Sequence, residues 1–293
     1  MTKRTLAICC LVFAISAHAQ EAANPFTSKE VSPGIHVIYG AGEKFVGGNV
    51  SVMVGDEHVV LIDDAMVPTA PALIDAVAAI AGKPVDFVIN THYHGDHTGG
   101  NAQLAKDGTL VVAHDNLRKR LLEKPGDAGG AAGIPVLTFS ETVTFHVNGK
   151  IAKVFHLPHA HTDGDGAIHF PEANVIHAGD VLFNGIFPYV DLDGGGSIAG
   201  FIAAQQQLIE MADDDTLVLA GHGDPVATKA DVERNLAVLV DGRKRVKALV
   251  DQGMSEEEIL AANPLADYHD DYNWSFITTE RMTQTHYRDL TSE

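Results

Sequence analysis

The chain has 293 residues, of which 39 are acidic and 20 are basic, so its formal net charge at pH 7 is −19. Apolar residues make up 45% of the chain, which excludes a disordered protein and is enough for a large hydrophobic core. A surface this acidic repels phosphate backbones and anionic lipids, so we expect neither nucleic acid nor a membrane surface as a partner.

The first residues have the pattern of a secretory signal peptide. Lys3 and Arg4 precede an apolar run at 6–15, and residues 17–19 read Ala-His-Ala, which matches a cleavage site. We therefore expect residues 1–19 to be removed and the mature protein to be periplasmic or secreted. The run is shorter than the roughly 20 residues that cross a bilayer, so we expect no stable membrane insertion.

The elements predicted after the leader alternate between strand and helix. The first half has strands at 35–39, 49–54 and 58–62, a helix at 69–81, a strand at 85–90, a helix at 98–106, a strand at 109–113 and a helix at 115–123. A loop rich in Gly and Ala at 125–133 precedes a second set of strands at 136–139, 142–147, 151–157, 166–170 and 174–178.

The last third of the chain is predicted to be mainly helical. A helix at 197–211 and a strand at 216–220 are followed by helices at 229–250, 255–262 and 278–290. The whole order favours an α/β protein, an αββα sandwich of two mixed β-sheets flanked by helices. We expect residues 20–293 to form a single domain with its core at about 35–225 and C-terminal helices at 229–293.

Four side chains of the kind that bind metals lie within six residues, directly after a predicted strand. Residues 92–97 read His-Tyr-His-Gly-Asp-His. Imidazole and carboxylate groups are ligands of zinc and similar divalent ions, and a structural role rarely requires so many of them together. The segment therefore predicts a metal site at the turn into the next helix.

This segment resembles the H-x-H-x-D-H motif of the metallo-β-lactamase superfamily. Three later segments are similar to the remaining motifs of that family and occur in the same order: His-Thr-Asp-Gly-Asp at 161–165, Ala-Gly-Asp at 178–180 and Gly-His-Gly at 221–223. The resemblance covers roughly residues 35–225, and it implies the metallo-β-lactamase fold, which is the αββα sandwich expected from the element order.

The resemblance also implies two metal ions and their ligands. One ion would be held by His92, His94 and His161, the other by Asp96, His97 and His222, with Asp180 as the bridge. We expect zinc, with iron or manganese as alternatives, because a carboxylate bridge is a hard ligand. Two adjacent ions can share a water whose pKa falls to roughly 7, which supplies a hydroxide nucleophile at neutral pH. Asp96 is also expected to carry a proton.

Other polar residues compete for these roles. His159 lies two residues before His161, which we prefer because the threonine and acidic residues after it fit the family pattern. His177 lies three residues before the expected bridge, so strand alternation turns it away and makes it structural. Asp63 and Asp64 end a predicted strand, where the resemblance implies an acidic residue that supports the metal-binding loop; a turn residue is the alternative.

The ligand set favours hydrolysis. Asp180 and Phe183 stand where the best-known zinc β-lactamases have cysteine and lysine, so the chain resembles glyoxalase-type thioesterases and lactonases more closely. We expect a small-molecule substrate, a lactone, ester or cyclic amide, whose acyl C–O or C–N bond is cleaved; β-lactams are included. The alternatives are a non-heme iron oxidoreductase of the same fold, a glyoxalase-type thioesterase and a non-catalytic metal-binding protein.

An apolar segment after Asp180 predicts one wall of a substrate pocket. The candidates for this pocket are Phe45, Phe183, Ile186, Phe187 and Tyr189. Phe45 lies among glycines and is interpreted as part of a flap. The mouth is expected to be apolar and poor in cations, which favours a neutral substrate over glutathione thioesters or phosphorylated compounds.

Overall fold

The computed structural model describes residues 23–42 and 45–292. The leader expected at 1–19 lies outside the described residues, so the signal peptide stays a prediction. Within the described ranges, no helix combines the length and the apolar character needed to span a bilayer.

The first sheet has seven strands arranged in the order in which they follow one another along the chain. They are β1 (Phe26–Ser32), β2 (Ile35–Gly40), β3 (Val50–Val54), β4 (Val59–Ile62), β5 (Phe87–Ile89), β6 (Leu110–His114) and β7 (Leu137–Phe139). The first four strands form an antiparallel meander, and β4 to β7 are parallel. Parallel strands need crossover connections, and helices supply them here: α1 (Ala70–Ala81), α2 (Gly95–Thr98), α3 (Asn101–Lys106) and α4 (Asp115–Glu123).

The second sheet has six strands in the order β13-β12-β11-β10-β9-β8. They are β8 (Thr142–Val147), β9 (Lys150–Leu157), β10 (Asp165–Phe170), β11 (Val175–Asn184), β12 (Leu217–Gly223) and β13 (Val226–Thr228). Among these described strands, the one parallel pair is β11 and β12, which are connected by α5 (Ile198–Met211). The chain then continues with α6 (Lys229–Val250), α7 (Glu256–Ala262), α8 (His269–Tyr272) and α9 (Thr279–Thr291).

Alternation along the strands shows how the layers are stacked. In β4, Val60 and Ile62 lie in the core between the two sheets, whereas Val59 and Leu61 pack in a second core that includes Leu73 of α1. A third core joins β9 to β13 with α5 and α6. Each sheet thus has one face on its partner and the other under helices. The expected αββα sandwich of two mixed sheets is confirmed.

Three strands differ from the prediction. β1 was not predicted, because most of its side chains are exposed and carry no alternating apolar pattern. β7 pairs with β6, so it belongs to the first sheet and not to the second set of strands with which the sequence grouped it. β11 continues to Asn184, well past the predicted end at 178, and its pairing with β12 shifts register around Gly179. The expected bridge, Asp180, therefore lies within a strand.

The packing of α9 against α6 buries an imidazole. His286 is 1% exposed, and a Cβ placed on Gly242 of α6 would lie 2.8 Å from its Nε2. Its Nδ1 has no hydrogen-bond partner within the part of the chain that the structure describes. Burial, followed by the nearby Arg243 charge, lowers the pKa of His286 to about 3. This imidazole is therefore neutral in the folded protein at neutral pH.

His286 should make stability depend on pH. Because the pKa of His286 is lower in the folded protein, the unfolded chain binds the proton more readily between about pH 6.5 and 3. The contribution of the neutral His286 to the free energy of unfolding is therefore lost as pH falls through that window. The free energy of unfolding at pH 5 should be ~2 kcal/mol lower than at pH 7 because of this histidine. Urea unfolding of the wild type and of His286→Leu at both pH values measures it. Equal losses in the two proteins would contradict this role.

Candidate metal centre

Loops, two strands and the short helix α2 bring the seven predicted ligands together. His92 and His94 lie in the loop after β5, and Asp96 and His97 are in α2. His161 lies between β9 and β10, Asp180 is in β11 and His222 is in β12. The ligand atoms form two groups, each within 4.8 Å: His92, His94, His161 and Asp180 in one, and Asp96, His97 and His222 in the other.

Hydrogen bonds behind the first group fix the tautomers of two imidazoles. Nδ1–H of His161 donates to the carbonyl oxygen of Tyr189 at 2.7 Å, and Nε2–H of His94 donates to Oδ2 of Asp191 at 3.0 Å. The remaining nitrogens, Nε2 of His161 and Nδ1 of His94, are 2.9 Å apart. Burial lowers the pKa of His161 to about 4, so Nε2 of its neutral imidazole presents a lone pair toward the centre of the group. A metal ion held by Nε2 of His161 and Nδ1 of His94 would use this lone pair, and the group therefore fits a metal ion.

The second group is surrounded by negative charge. Nδ1–H of His97 donates to Oδ2 of Asp63 at 2.8 Å, which directs its Nε2 toward Asp180 and His222. Burial opposes protonation of His97, but the carboxylates of Asp180, Asp96 and Asp63 outweigh it and raise the pKa well above its usual range. For His222, burial is likewise outweighed, chiefly by Asp180, and the pKa rises to about 9. The site thus attracts positive charge, which divalent cations would supply.

Asp180 is shared by the two groups. Its Oδ2 lies 3.5 Å from Nε2 of His161 and 3.3 Å from Nε2 of His222, and its Oδ1 lies 3.1 Å from Nε2 of His97. Within the described residues, Nε2 of the buried His92 has no hydrogen-bond partner, and the buried Oδ1 of Asp180 has none besides this approach of His97. A buried polar atom without a partner costs free energy, and a bound metal would satisfy both atoms.

Two glycines are required by close approach to the ligands. A Cβ on Gly221 would lie 2.1 Å from Oδ1 of Asp180, and a Cβ on Gly48 would lie 2.1 Å from Cε1 of His97. Real Cβ atoms do not approach other atoms so closely, so any side chain at either position would displace a ligand.

The structure shows which of the competing polar residues contact the ligand groups. Asp63 contacts a ligand, His97, whereas Asp64 accepts the backbone N–H of Gly100 at 2.9 Å and burial raises its pKa well above the usual range. His177 belongs to neither ligand group and lies 2.9 Å from the hydroxyl of Ser51. His159 is exposed and donates from Nδ1 to a backbone carbonyl, whereas His161 lies in the first group.

Asp191 was not singled out from the sequence, yet it positions His94. Its carboxylate accepts Nε2–H of His94, the hydroxyl of Tyr93 and the backbone N–H of Gly194. Burial works against the charged form, but these hydrogen bonds, first from His94 and then from Tyr93, hold the pKa of Asp191 below its usual range. The carboxylate therefore fixes the imidazole with Nδ1 directed at the metal centre.

Removing this carboxylate should weaken metal binding. Asp191→Ala is expected to lower zinc affinity by about 10- to 100-fold, because His94 loses the contact that fixes its orientation and tautomer. Competition with a chromophoric chelator measures the affinity. In the matched control, Tyr93→Phe, the carboxylate loses one hydrogen bond and keeps its contact with His94, so the change should be much smaller. Unchanged affinity in Asp191→Ala would rule out the positioning role.

A cavity of about 1070 Å³ opens above the centre, and Asp96, Asp180 and His222 line part of it. Phe45, Phe183 and Tyr189 line it as well. Ile186 and Phe187, also predicted as its wall, do not: both line a much smaller pocket against α6 and α9 and pack with residues such as Leu239. The segment turns after β11, so successive apolar residues face different sides.

The mouth is more polar than the sequence suggested. Six acidic side chains line the cavity, so it is not apolar as expected; its basic side chains are few, Arg120 and Lys124. Arg120 is paired with Asp163 at 2.7 Å, which offsets its charge. Trp274 and Phe276, from the segment before α9, add an aromatic wall that the sequence did not predict.

Comparisons with known proteins agree with this geometry. The family model described as "Metallo-beta-lactamase superfamily" matches residues 44–222. A hydroxyacylglutathione hydrolase of Synechococcus sp. (strain JA-3-3Ab) is 34% identical over 138 residues, which are 44% of this chain and 50% of that protein. The chain thus spans about half the length of the curated relatives it matches.

Solved structures share the fold at low sequence identity. A metallo-beta-lactamase from Pontibacter korlensis superposes with a TM-score of 0.63 and 18% identity, covering 74% of this chain and 99% of that one. A double mutant of the sec-alkyl sulfatase PisA1 gives a TM-score of 0.69 at 18% identity, covering 90% of this chain and 50% of that one. The ligand geometry, the fold and the family match lead to one conclusion: this chain belongs to the metallo-β-lactamase superfamily, whose members are mainly metal-dependent hydrolases.

Proposed function

We propose that this protein is an exported hydrolase with two metal ions that cleaves an acyl C–O or C–N bond of a small molecule. The observation that carries the proposal is the pair of ligand groups that share Asp180 at the base of a large cavity. Export is supported by the leader pattern at 1–19, which places the enzyme in the periplasm or outside the cell.

The two groups would each hold one ion. His92, His94 and His161 would hold one and Asp96, His97 and His222 the other, with Asp180 close enough to both groups to serve both ions. When bound, two divalent ions, zinc in the first instance and iron or manganese as alternatives, supply Lewis-acid polarisation of a carbonyl and a lowered pKa of water. Asp63 and Asp191 hold two of the imidazoles in the tautomer that such ions need.

Asp96 is the proposed proton carrier. Its side chain is 21% exposed and lines the cavity, with Oδ2 at 3.3 Å from Nε2 of His222. Burial raises its pKa, but the charges of His97 and His222 and a hydrogen bond from His222 outweigh this, and the pKa falls to about 2. The carboxylate is therefore ionised at neutral pH. Its place on the cavity wall beside His222 is what supports a role in carrying a proton to the leaving group.

The surroundings favour an uncharged substrate. Six acidic and two basic side chains line the cavity, together with aromatic residues. A neutral lactone, ester or cyclic amide fits such walls better than an anionic thioester does. The second candidate, a glyoxalase-type thioesterase, is favoured by the relatives that act as hydroxyacylglutathione hydrolases, although this chain spans only about half of their length.

A substrate panel tests the proposal. Zinc-loaded protein should hydrolyse members of a set of lactones, esters, cyclic amides and β-lactams faster than it hydrolyses a hydroxyacylglutathione thioester. A chelator should reduce turnover to background, and added zinc should restore it. Preference for the thioester would support the second candidate. Absence of turnover with every acyl substrate would contradict the hydrolase proposal.

A further inference from the structure

Five aromatic side chains form a band around the cavity, which we call the aromatic collar. Its members are Phe45, Phe183, Tyr189, Trp274 and Phe276. Ring centroids of neighbouring members lie 5.3 Å apart for Tyr189 and Phe276, 5.6 Å for Phe276 and Trp274, and 6.4 Å for Trp274 and Phe183. Phe45 joins the collar through the ring of His222, 5.8 Å away.

The collar lies directly against both ligand groups. The ring of Phe183 stacks on His222 at 5.0 Å, and the ring of Tyr189 lies 5.7 Å from His94 and 5.6 Å from His161. Groups adjoining the part of a molecule that the collar holds would therefore lie over the metal centre.

Two collar members expose aromatic surface at the mouth. Phe45 is 58% exposed and Phe276 is 45% exposed, and no other phenylalanine among the described residues is as accessible. Covering such rings removes apolar surface from water, at about 25 cal/mol per Å². Exposed aromatic rings at the mouth of a cavity indicate a binding surface for a ligand.

The C-terminal half of the collar is held in place before any ligand arrives. Nε1–H of Trp274 donates to the carbonyl oxygen of Phe187 at 2.9 Å. The guanidinium of Arg281 lies 4.2 Å from the ring centroid of Phe276 and donates to the backbone oxygen of the same residue at 2.9 Å. Because the indole of Trp274 is anchored and Arg281 covers one face of Phe276, less side-chain freedom is lost when a ligand binds, which increases affinity.

Charge at the collar disfavours a charged ligand. Arg281 already lies over the rings of Phe276 and Tyr189, so a ligand cation placed on these two rings would meet a like charge. Glu123, Asp127 and Asp193 also line the cavity and disfavour an anion near its rim. A flat, neutral ring is the group that matches both conditions, because stacking on aromatic faces needs no charge.

We propose that the aromatic collar binds an uncharged aryl group of the substrate and thereby places the acyl bond over the metal centre. This inference rests on the proposed hydrolase function. Trp274 and Phe276 lie beyond residues 44–222, the part matched by the family model, so the preference comes partly from the C-terminal segment of this chain.

The emission of Trp274 reports on the collar, because the chain has a single tryptophan. The zinc-loaded full chain is titrated with 2-phenylacetamide and, separately, with acetamide. We expect a saturable change in emission with 2-phenylacetamide alone. Phe276→Ala should raise the apparent Kd about tenfold, since it removes one stacking face and leaves Trp274 in place. The control, Val240→Ala, changes an exposed residue of α6 that does not line the cavity at the metal centre, and should keep the wild-type Kd.

The outcomes separate the two proposals. No saturable change with 2-phenylacetamide, an equal response to acetamide, or an unchanged Kd in Phe276→Ala would overturn the collar as an aryl site. The titration needs no turnover. A protein that binds the aryl amide but hydrolyses no acyl substrate would retain the collar and lose the hydrolase function. Acyl hydrolysis without aryl binding would retain the hydrolase function and overturn the collar as an aryl site.

Discussion

Asp180→Ala is expected to lower kcat/KM for the best substrate of the panel by about 10³-fold, equivalent to ~4 kcal/mol of transition-state stabilisation. Oδ2 of Asp180 lies 3.5 Å from Nε2 of His161 in one group and 3.3 Å from Nε2 of His222 in the other, so its loss weakens both. Steady-state kinetics and the zinc content per chain, which should fall below that of the wild type, measure the effect.

Asp180→Asn is the matched control for this experiment. It preserves the shape of the side chain and one oxygen while removing the charge, so its activity should lie between those of the wild type and Asp180→Ala. Thermal unfolding of both variants shows whether the fold survives. If folded Asp180→Ala kept the zinc content of the wild type and a kcat/KM within a few-fold of it, Asp180 would not be a shared ligand.

Asp63→Ala is expected to destabilise the protein by about 3–5 kcal/mol, the cost of breaking a buried charged pair. Asp63 is fully buried, and its carboxylate accepts the N–H and hydroxyl of Thr91 and Nδ1–H of His97. Alanine would leave these donors without an acceptor and would occupy a backbone position with φ of 62°. Urea unfolding of metal-free protein measures this loss without a contribution from bound metal.

Asparagine substitutions at Asp63 and at the next residue, Asp64, form the matched control. Asp64→Asn should cost less than about 1 kcal/mol, because burial already favours the neutral carboxyl there and the amide oxygen can still accept the N–H of Gly100. Asp63→Asn should cost clearly more, since an amide cannot replace a carboxylate that accepts three hydrogens. Equal destabilisation by the two asparagine variants would contradict the role assigned to Asp63.

Local pattern was sufficient to predict most of the fold. Strands such as β4 are apolar on both faces, and α6 begins at a capping box formed by Thr228 and Asp231, so their places could be predicted from short windows. β1 could not, because its exposed side chains have the composition of a loop. The sheet to which a three-residue strand such as β7 belongs depends on distant partners that no local pattern reveals.

Some residues of the candidate site could likewise be predicted from the sequence, and others could not. The four ligand-type side chains at 92–97 are close in sequence, so their common role follows from spacing alone. Asp191 lies 97 residues from His94, and Trp274 is 52 residues from His222; neither has a neighbouring residue that suggests a role. Only the folded chain brings them together. Ile186 and Phe187 were predicted wrongly because composition indicates burial but does not distinguish a core from a cavity wall.

Anomalous diffraction from crystals of the zinc-loaded chain, recorded at the zinc edge, tests the two-metal site most directly. Two neighbouring peaks should appear, one contacted by His92, His94 and His161 and the other by Asp96, His97 and His222, with Asp180 reaching both. A map with no peak among these side chains, or with a single peak at full zinc saturation, would show that the two groups do not form a dinuclear centre.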